Sequence, residues 1–187
     1  MDEVNAWRAW ARGLEAITDR LLADDFPLDP FGREECFRHV AQQATCWLDW
    51  AVSHGDPGGP WFQRQNDHTT PWGGPNADNV YRHARVSPAH EYRLTGNMHG
   101  SEDFALAIRA GFRHTDRPGT LVELTASEIG IGRDSEFEVL LGGEGDEPNR
   151  VPLPDGAVMC SIREYYFDWA VREPATFVIE RIDDRPA

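Results

Sequence analysis

The strongest constraint on the fold is a change of hydrophobic period along the chain. After Val80, apolar and polar residues alternate with a period of two, which is typical of β-strands that bury one face. No helical segment interrupts this region, and turn sequences such as SPAH, GRDS and LPDG divide it. The pattern predicts an antiparallel β-sandwich or jelly roll. The strand segments are Val80–Val86, Glu91–Gly96, Phe104–Ala110, Leu121–Thr125, Glu136–Leu141, Val158–Phe167 and Thr176–Ile182.

The residues before this region follow the period of an α-helix instead. Apolar residues from Ala6 to Ala23 recur every three or four positions, and a second apolar stripe runs from about Arg33 to Ser53. Two amphipathic helices packed on a sandwich make the fold class mainly β with N-terminal helices (α+β). The second helix is expected to bury Phe37, Val40, Ala44, Trp47, Leu48 and Ala51.

The chain of 187 residues is expected to form a single domain, 1–187. It consists of a helical region at 1–55, a long loop at 56–79 and the β-sandwich at 80–187. The loop is rich in Gly, Pro, Asn and Asp, which supply turns and irregular backbone. Its two tryptophans, Trp61 and Trp72, indicate a loop that is packed against the domain, and long packed loops often carry function.

Charge and composition exclude several classes of function. A formal net charge of -14 argues against binding to nucleic acid or to anionic membranes, both of which attract basic surfaces. All 18 basic residues are arginine, which excludes Schiff-base chemistry and a P-loop lysine. Cys36, Cys46 and Cys160 lack the spacing of a disulfide framework or a zinc site, and no signal peptide is evident. We therefore expect an acidic, cytoplasmic bacterial protein.

Three segments carry a resemblance to a known family. Gly73–Gly96 (GGPNADNVYRHARVSPAHEYRLTG), the turn GRDSEFEVLL and Ser161–Trp169 (SIREYYFDW) together resemble bacterial proteins of the domain of unknown function 1214 and 1254 type, over roughly residues 73–182. The resemblance implies a jelly-roll-like sandwich and brings no settled reaction. The motif positions that carry over are Asn76, Asp78, Asn79, Tyr81, Tyr92, Arg93, Gly96, Arg163 and Tyr165.

Two groups of polar residues are candidates for a site. The string from Asn76 to Asn79 lies where the loop meets the first strand, so it either binds a polar ligand at the mouth of the sandwich or closes a turn through its own backbone. On a strand, Arg163 and Tyr165 share a face with Phe167 and Trp169, and we expect this face to look into a ligand cavity. The alternative for this pair is structural, an arginine–carboxylate pair at a sheet edge.

The histidines offer an acid–base candidate but no metal site. His68 lies beside Asp67 in the long loop, where it is either a general base or an exposed histidine without a role. The seven histidines include no HxH pair, and most lie in or near turns, so we expect no metal. The absence of a GxSxG motif makes nucleophilic catalysis the weaker alternative.

These residues predict a protein with a small-molecule pocket. The first hypothesis is an acid–base enzyme without cofactor or metal, an isomerase, cyclase, lyase or hydrolase acting on a largely apolar substrate; the second is a non-catalytic ligand-binding or protein-interaction module. A histidine or tyrosine near a carboxylate in the pocket favours the first, and a purely aromatic cavity favours the second. The oligomeric state stays open, a homo-oligomer included. The predicted catalytic residues are Tyr165, His68 and Asp78, and the predicted substrate-binding residues are Asn76, Asn79, Tyr81, Arg93, Arg163 and Trp72.

Overall fold

The structure, a computed structural model, describes residues 2–26, 29–65, 76–112, 115–170 and 173–184. The chain divides into two units, Met1–Thr45 and Cys46–Ala187. The first unit contains helix α1 (Glu3–Leu22) and most of helix α2 (Pro30–Val52), whose last two turns belong to the second unit. The second unit contains the described strands. The prediction of one domain for the whole chain stays a prediction.

Both helices begin at an aspartate that caps them. The side chain of Asp2 accepts a hydrogen bond from the backbone N–H of Asn5 at 2.8 Å, and that of Asp29 accepts one from Gly32 at 2.7 Å. Such caps satisfy backbone donors that have no partner within the helix. Pro30 suits the first helical position because its ring presets φ and its missing N–H is not needed there. The two predicted helices are confirmed, each beginning three residues earlier than expected.

The described strands form two sheets. They are β1 (Gln63–Gln65), β2 (Asn79–Arg85), β3 (Tyr92–Asn97), β4 (Asp103–Gly111), β5 (Gly119–Thr125), β6 (Glu136–Leu141), β7 (Arg150–Val151), β8 (Met159–Tyr165) and β9 (Thr176–Arg181). The first sheet has the order β1-β2-β8-β4-β5 and the second has the order β7-β6-β3-β9. The described pairs are antiparallel except for the short parallel pair β6–β7.

One hydrophobic core lies between the two sheets. Phe104 of the first sheet contacts Phe137 and Phe177 of the second, with ring centroids 5.5 and 5.2 Å apart. Leu94 and Leu106, one from each sheet, are fully buried in the same cluster. The longer strands contribute alternate residues to this core, as the period of two requires. The predicted fold class is therefore confirmed: a mainly β, antiparallel sandwich preceded by helices, in a jelly-roll-like arrangement whose chain passes repeatedly from one sheet to the other.

Gly96 occupies a position where the second sheet has no space for a side chain. A Cβ atom there would lie 1.9 Å from the backbone oxygen of Thr176 and 2.6 Å from the ring of Phe137. Gly96 pairs with Phe137 on one side and Phe177 on the other. The absent side chain lets the two neighbouring aromatic rings meet across the central strand.

Two predictions about local structure are wrong. The loop at 56–79 was expected to contain no regular element, but it contains β1, which pairs with β2. Within α2 the expected stripe is only partly buried, and Ala51 is exposed; the fully buried side chains are Cys46 and Trp50. Trp50 is buried because its ring packs against Phe112. At this end of α2, a side chain is therefore buried when it packs against the Phe112 cluster, whether or not it belongs to the predicted apolar stripe.

Within the described residues, neither helix has a stretch that is long and apolar enough to cross a lipid bilayer.

Candidate functional site

The face of the first sheet that points away from the core carries aromatic and basic side chains. Strand alternation places Tyr81, His83 and Arg85 of β2 on this face, opposite to the core residue Ala84. In the neighbouring strand β8, His83 is paired with Ser161. We call this surface the outer face of the first sheet.

Aromatic side chains cover one end of the outer face. Phe112, just after β4, packs edge-on against Trp47 and Trp50 near the end of α2, with ring centroids 4.8 and 5.6 Å apart. Met159 of β8 is fully buried in the same cluster. The guanidinium carbon of Arg85 lies 5.5 Å from the centre of the Trp50 ring, within the range of a cation–π interaction. These side chains bring a positive charge next to an apolar wall.

These residues line a cleft of about 450 Å³, which we call the aromatic cleft. Its volume lies within the range typical of small-molecule sites. Two arginines and one aspartate contribute the charges among its described lining residues, so the cleft is locally positive on a chain whose net charge is -14. The lining residues are Trp47, Trp50, Arg85, Ala110, Gly111, Phe112, Thr115, Asp116, Arg117, Val158 and Met159.

An irregularity in the sheet shapes one wall of this cleft. The pairing of β4 with β5 shifts register between Arg109 and Gly111, which is a β-bulge or similar irregularity. Thr115 then folds back, and its hydroxyl donates a hydrogen bond of 2.7 Å to the backbone oxygen of Phe112. A Cβ atom on Gly111 would lie 2.3 Å from that same hydroxyl, so a larger residue there would displace the Thr115 side chain. Bulges of this kind frequently adjoin functional sites because they redirect the chain.

A buried histidine–serine pair lies beside the aromatic cluster. The Nδ1 atom of His83 is 2.9 Å from the hydroxyl oxygen of Ser161, and both side chains are buried. The rings of Trp50 and Phe112 pack against the imidazole. Burial, with a smaller contribution from the positive charge of Arg109, lowers the pKa of His83 to about 3. The imidazole is therefore neutral at physiological pH.

A second polar group is buried inside the sandwich core. The carboxylate of Glu164, which is fully buried, pairs with the guanidinium of Arg82 and accepts a hydrogen bond from the hydroxyl of Tyr166. That hydroxyl in turn accepts a hydrogen bond of 2.8 Å from the backbone N–H of Ala175. Arg82 also lies 5.1 Å above the ring of Phe177. Burial lowers the pKa of Arg82 to about 10, which leaves it charged at neutral pH.

The predicted residues near the start of β2 do lie together, but they bond mainly to backbone. The side chain of Asn76 accepts a hydrogen bond of 2.9 Å from the backbone N–H of Asp78. The amide of Asn79 donates to the backbone oxygens of Asp78 and Glu164, both at 3.1 Å. The hydroxyl of Tyr81 donates to Asn79 at 3.3 Å. This geometry matches the turn-closing alternative for the string from Asn76 to Asn79.

The expected orientation of Arg163 and Tyr165 is wrong. Arg163 is exposed on the outer face, where its guanidinium lies 5.3 Å above the ring of Tyr81, and Tyr165 is only half-buried. Phe167, which was expected beside them in a cavity, is 80% exposed. The physical reason is strand alternation, which turns Ile162 and Glu164 toward the core and Arg163 and Tyr165 away from it; in addition, β8 ends at Tyr165, so the alternation does not extend to Phe167 or Trp169. The residues of β8 that do face the interior are Ile162 and Glu164.

Arg93, another predicted site residue, does not join this group. Arg93 lies on the exposed face of the second sheet, where it forms ion pairs with Glu138 at 3.1 Å and Glu180 at 3.0 Å. It is therefore a cross-strand surface residue and not a neighbour of Asn79. The structure does not bring it to the other candidates. His68 and Trp72 fall outside the described residues, so their predicted roles stay predictions.

The aromatic cleft and the core ion pair were not predicted, although the sequence contains signals for both. Cys160, Ile162 and Glu164 occupy alternate positions of β8, so they share one face of the strand. Because Cys160 and Ile162 are apolar, the pattern predicts that the Glu164 carboxylate faces the core. In α2, Trp50 follows Trp47 by one helical turn and extends an aromatic edge that the predicted stripe omitted. Neither pattern predicts which residues, far away in the sequence, complete the cleft or the ion pair.

The described residues include no group of three or more His, Cys, Asp or Glu side chains arranged to hold a metal ion. The prediction that the protein needs no metal stays a prediction. Burial raises the pKa of the Cys160 thiol to about 12, so this thiol is not a nucleophile at neutral pH.

Comparisons with known proteins place the fold but no function. A scan against protein-family models found no match, and a search of curated proteins also found none. Among solved structures, the chain is similar to an uncharacterized protein from Burkholderia cenocepacia, with a TM-score of 0.85 and 28% identity over 97% of this chain and 51% of that one. A protein from Vibrio parahaemolyticus matches with a TM-score of 0.43 and 18% identity over 60% of this chain and 32% of that one. The chain thus spans about half the length of the Burkholderia protein. The resemblance to the 1214 and 1254 type stays a prediction.

Proposed function

We propose that the protein binds a small, largely apolar molecule with one anionic group in the aromatic cleft. The observation that carries this proposal is the guanidinium of Arg85 placed over the indole of Trp50 in the wall of a cleft of about 450 Å³. An apolar surface beside a fixed positive charge is complementary to a ligand that has both an apolar body and an anion.

The apolar part of the ligand would lie against the aromatic wall. Trp47, Trp50 and Phe112 present ring faces and edges, and Val158 and Met159 add aliphatic surface. Burying apolar ligand surface there is favourable by about 25 cal/mol for each Å² removed from water. Met adapts its shape to different partners, so the cleft suits a planar or branched apolar body.

The charge of the ligand follows from the arginines of the cleft. Arg85 is partly buried, whereas Asp116 and Arg117 are exposed, so Arg85 is the less screened of the three charges. Guanidinium groups bind carboxylates through two parallel hydrogen bonds. A carboxylate or another oxyanion therefore fits this position better than an ammonium group.

Binding without catalysis is favoured over acid–base chemistry in this cleft. No histidine or tyrosine occurs among the described residues that line it. His83 is nearby, but it is buried and hydrogen-bonded to Ser161. Its low pKa also makes it a weak base. The enzyme hypothesis would require a general base that contacts the ligand, and Asp116 is the one carboxylate among the described lining residues.

The proposal is tested by isothermal titration calorimetry with a matched pair of probes, 2-naphthoate and its neutral amide. We expect the wild type to bind the carboxylate more tightly than the amide. The variant Arg85→Gln should bind 2-naphthoate about tenfold more weakly or worse, because a charged hydrogen bond contributes about 1.5–3 kcal/mol. Its affinity for the amide should change by less than about threefold.

Arg163→Gln is the matched control, because Arg163 also lies over an aromatic ring on the outer face but does not line the cleft. This variant should bind both probes like the wild type. Equal losses in the Arg85 and Arg163 variants, or no saturable binding of either probe by the wild type, would contradict the proposed site.

A further inference from the structure

The aromatic cleft has two polar sides, which are separated by strand β8. Arg85 of β2 forms the first side. The second side is formed by three residues that follow β4, namely Thr115, Asp116 and Arg117. Because β8 lies between β2 and β4, the backbones of the two sides are two strand spacings apart, or about 10 Å. Met159 of β8 lines the cleft between them and is paired with Arg85. A ligand whose anion contacts Arg85 would therefore extend across Met159 toward the second side.

The second side lies directly against the end of β4. A Cβ atom on Gly111 would lie 2.3 Å from the hydroxyl oxygen of Thr115 and 3.0 Å from the backbone oxygen of Arg117. The backbone oxygen of Phe112 accepts two hydrogen bonds from Thr115, one of 3.0 Å from its backbone N–H and one of 2.7 Å from its hydroxyl. Thr115 is exposed to solvent, but these two bonds fix the position of its hydroxyl in the cleft wall.

The hydroxyl of Thr115 in this position is an acceptor for a ligand. A threonine hydroxyl has one proton and two lone pairs, and here the proton is donated to Phe112. The carboxylate of Asp116 also accepts hydrogen bonds, whereas the guanidinium of Arg117 donates them. The second side thus presents two acceptors and one donor within three consecutive residues.

We infer that the ligand of the aromatic cleft carries a hydroxyl group at the end remote from its anion, and that Thr115 is the specificity-determining residue for this group. The inference rests on the function proposed above and narrows its ligand class. A hydroxyl can donate to Thr115 and accept from Arg117 at the same time, because it has both a proton and lone pairs. The ligand class is a largely apolar hydroxy acid whose two polar groups lie on opposite sides of its apolar body.

A charged group suits the second side less well than a neutral hydroxyl. Asp116 and Arg117 are adjacent, exposed and opposite in charge, so each offsets the attraction that the other exerts on a charged ligand. A second carboxylate would approach Asp116, and an ammonium group would approach Arg117. Either ion would lose part of its hydration in the cleft for little net attraction.

Selectivity between two probes tests the inference by isothermal titration calorimetry. In 6-hydroxy-2-naphthoate and 6-methoxy-2-naphthoate the rings and the anion are the same, but the methoxy group has no proton to donate. The wild type should bind the hydroxy probe about fivefold more tightly, the ratio that corresponds to one neutral hydrogen bond. This preference should fall below about twofold in Thr115→Val, and Thr115→Ser, which keeps the hydroxyl, should retain it.

Thr120→Val is the matched control, because Thr120 of β5 is also exposed but is not among the described residues that line the cleft. It should keep the preference of the wild type. Unsubstituted 2-naphthoate then separates recognition from support of the wall, since it has no group that bonds to Thr115. Its dissociation constant should change by less than about twofold in Thr115→Val.

A third probe tests the charge argument through a different residue. Naphthalene-2,6-dicarboxylate should bind the wild type within about twofold of 2-naphthoate, because Asp116 and Arg117 offset each other. Asp116→Asn leaves Arg117 without this opposition, so it should bind the dicarboxylate about threefold more tightly than the wild type does. A wild type that binds the dicarboxylate more tightly than the hydroxy probe would contradict the inference.

Three further results would overturn the inference: a wild type without preference for the hydroxy probe, a Thr115→Val protein that keeps the preference, or equal losses of 2-naphthoate and hydroxy-probe binding in that variant. If 2-naphthoate binds in a manner that depends on Arg85 but the hydroxyl adds nothing, the inference is wrong and the proposed function stands. If the wild type binds none of the probes saturably, both are wrong.

Discussion

Replacing Glu164 by Gln is expected to lower the free energy of unfolding by about 3–5 kcal/mol, the typical cost of breaking a buried ion pair by removing one partner. Glu164 is fully buried, and its carboxylate is paired with Arg82 and hydrogen-bonded to Tyr166. The substitution keeps the shape of the side chain but removes its charge. Arg82 then stays in the core without a counter-ion. Urea denaturation of the purified variant measures the loss.

The second sheet supplies a matched control for this measurement. Arg93 and Glu138 are also an arginine–glutamate pair on adjacent strands, but their side chains are 41% and 50% exposed. Glu138→Gln should therefore cost no more than about 1 kcal/mol. A further variant, Arg82→Met with Glu164→Leu, should be more stable than Glu164→Gln, because it removes both buried charges together. Equal stabilities for Glu164→Gln and Glu138→Gln would show that burial does not set the cost of this pair.

The second large effect is a loss of stability on mild acidification that depends on His83. Its pKa is about 3 in the folded protein, mainly through burial, against about 6.5 in an unfolded chain. Between these values the unfolded chain binds a proton that the folded protein does not, so stability falls as the pH falls. From pH 8 to pH 5 this one group should lower the free energy of unfolding by about 2 kcal/mol.

The variant His83→Asn isolates this contribution, since it keeps an amide near Ser161 but cannot titrate. Urea denaturation at several pH values measures the free energy of unfolding. Its decrease from pH 8 to pH 5 should be about 2 kcal/mol smaller in the variant than in the wild type. Ser161→Ala is the control, because it removes the hydrogen bond of 2.9 Å and leaves the imidazole buried. It should keep the pH dependence of the wild type. An unchanged slope in His83→Asn would mean that the imidazole is hydrated in the folded protein.

The secondary structure could be predicted largely because both helices and most strands have a clear period. The strands that were missed, β1 and β7, have three and two residues, and β1 consists of Gln63, Arg64 and Gln65. A segment this short and polar has no apolar alternation. It is a strand because its backbone pairs with β2, which begins only at Asn79.

The candidate site could be predicted only in part. The string from Asn76 to Asn79 does lie at a loop-to-strand junction with Tyr81 and Arg163 close by, and its alternative as a turn matches the observed hydrogen bonds. The expected cavity-facing side of β8 was wrong, because Ile162 and Glu164 face the core in place of Arg163 and Tyr165, and because β8 ends before Phe167. The aromatic cleft was missed because its walls come from α2, β2, β4 and β8.

The sequence by itself determined which residues share a face of each strand and which form a stripe on each helix. These relations depend only on backbone geometry, with periods of 2 and about 3.6 residues. The tertiary structure decided which face is buried and which residues meet. Arg82 and Glu164 are 82 positions apart, yet they pair because β2 lies beside β8 in a defined register. Likewise Trp50, Arg85, Phe112 and Met159 form one wall only after the sheet is assembled. Strand order and register arise from the packing of the whole core, and no local pattern encodes them.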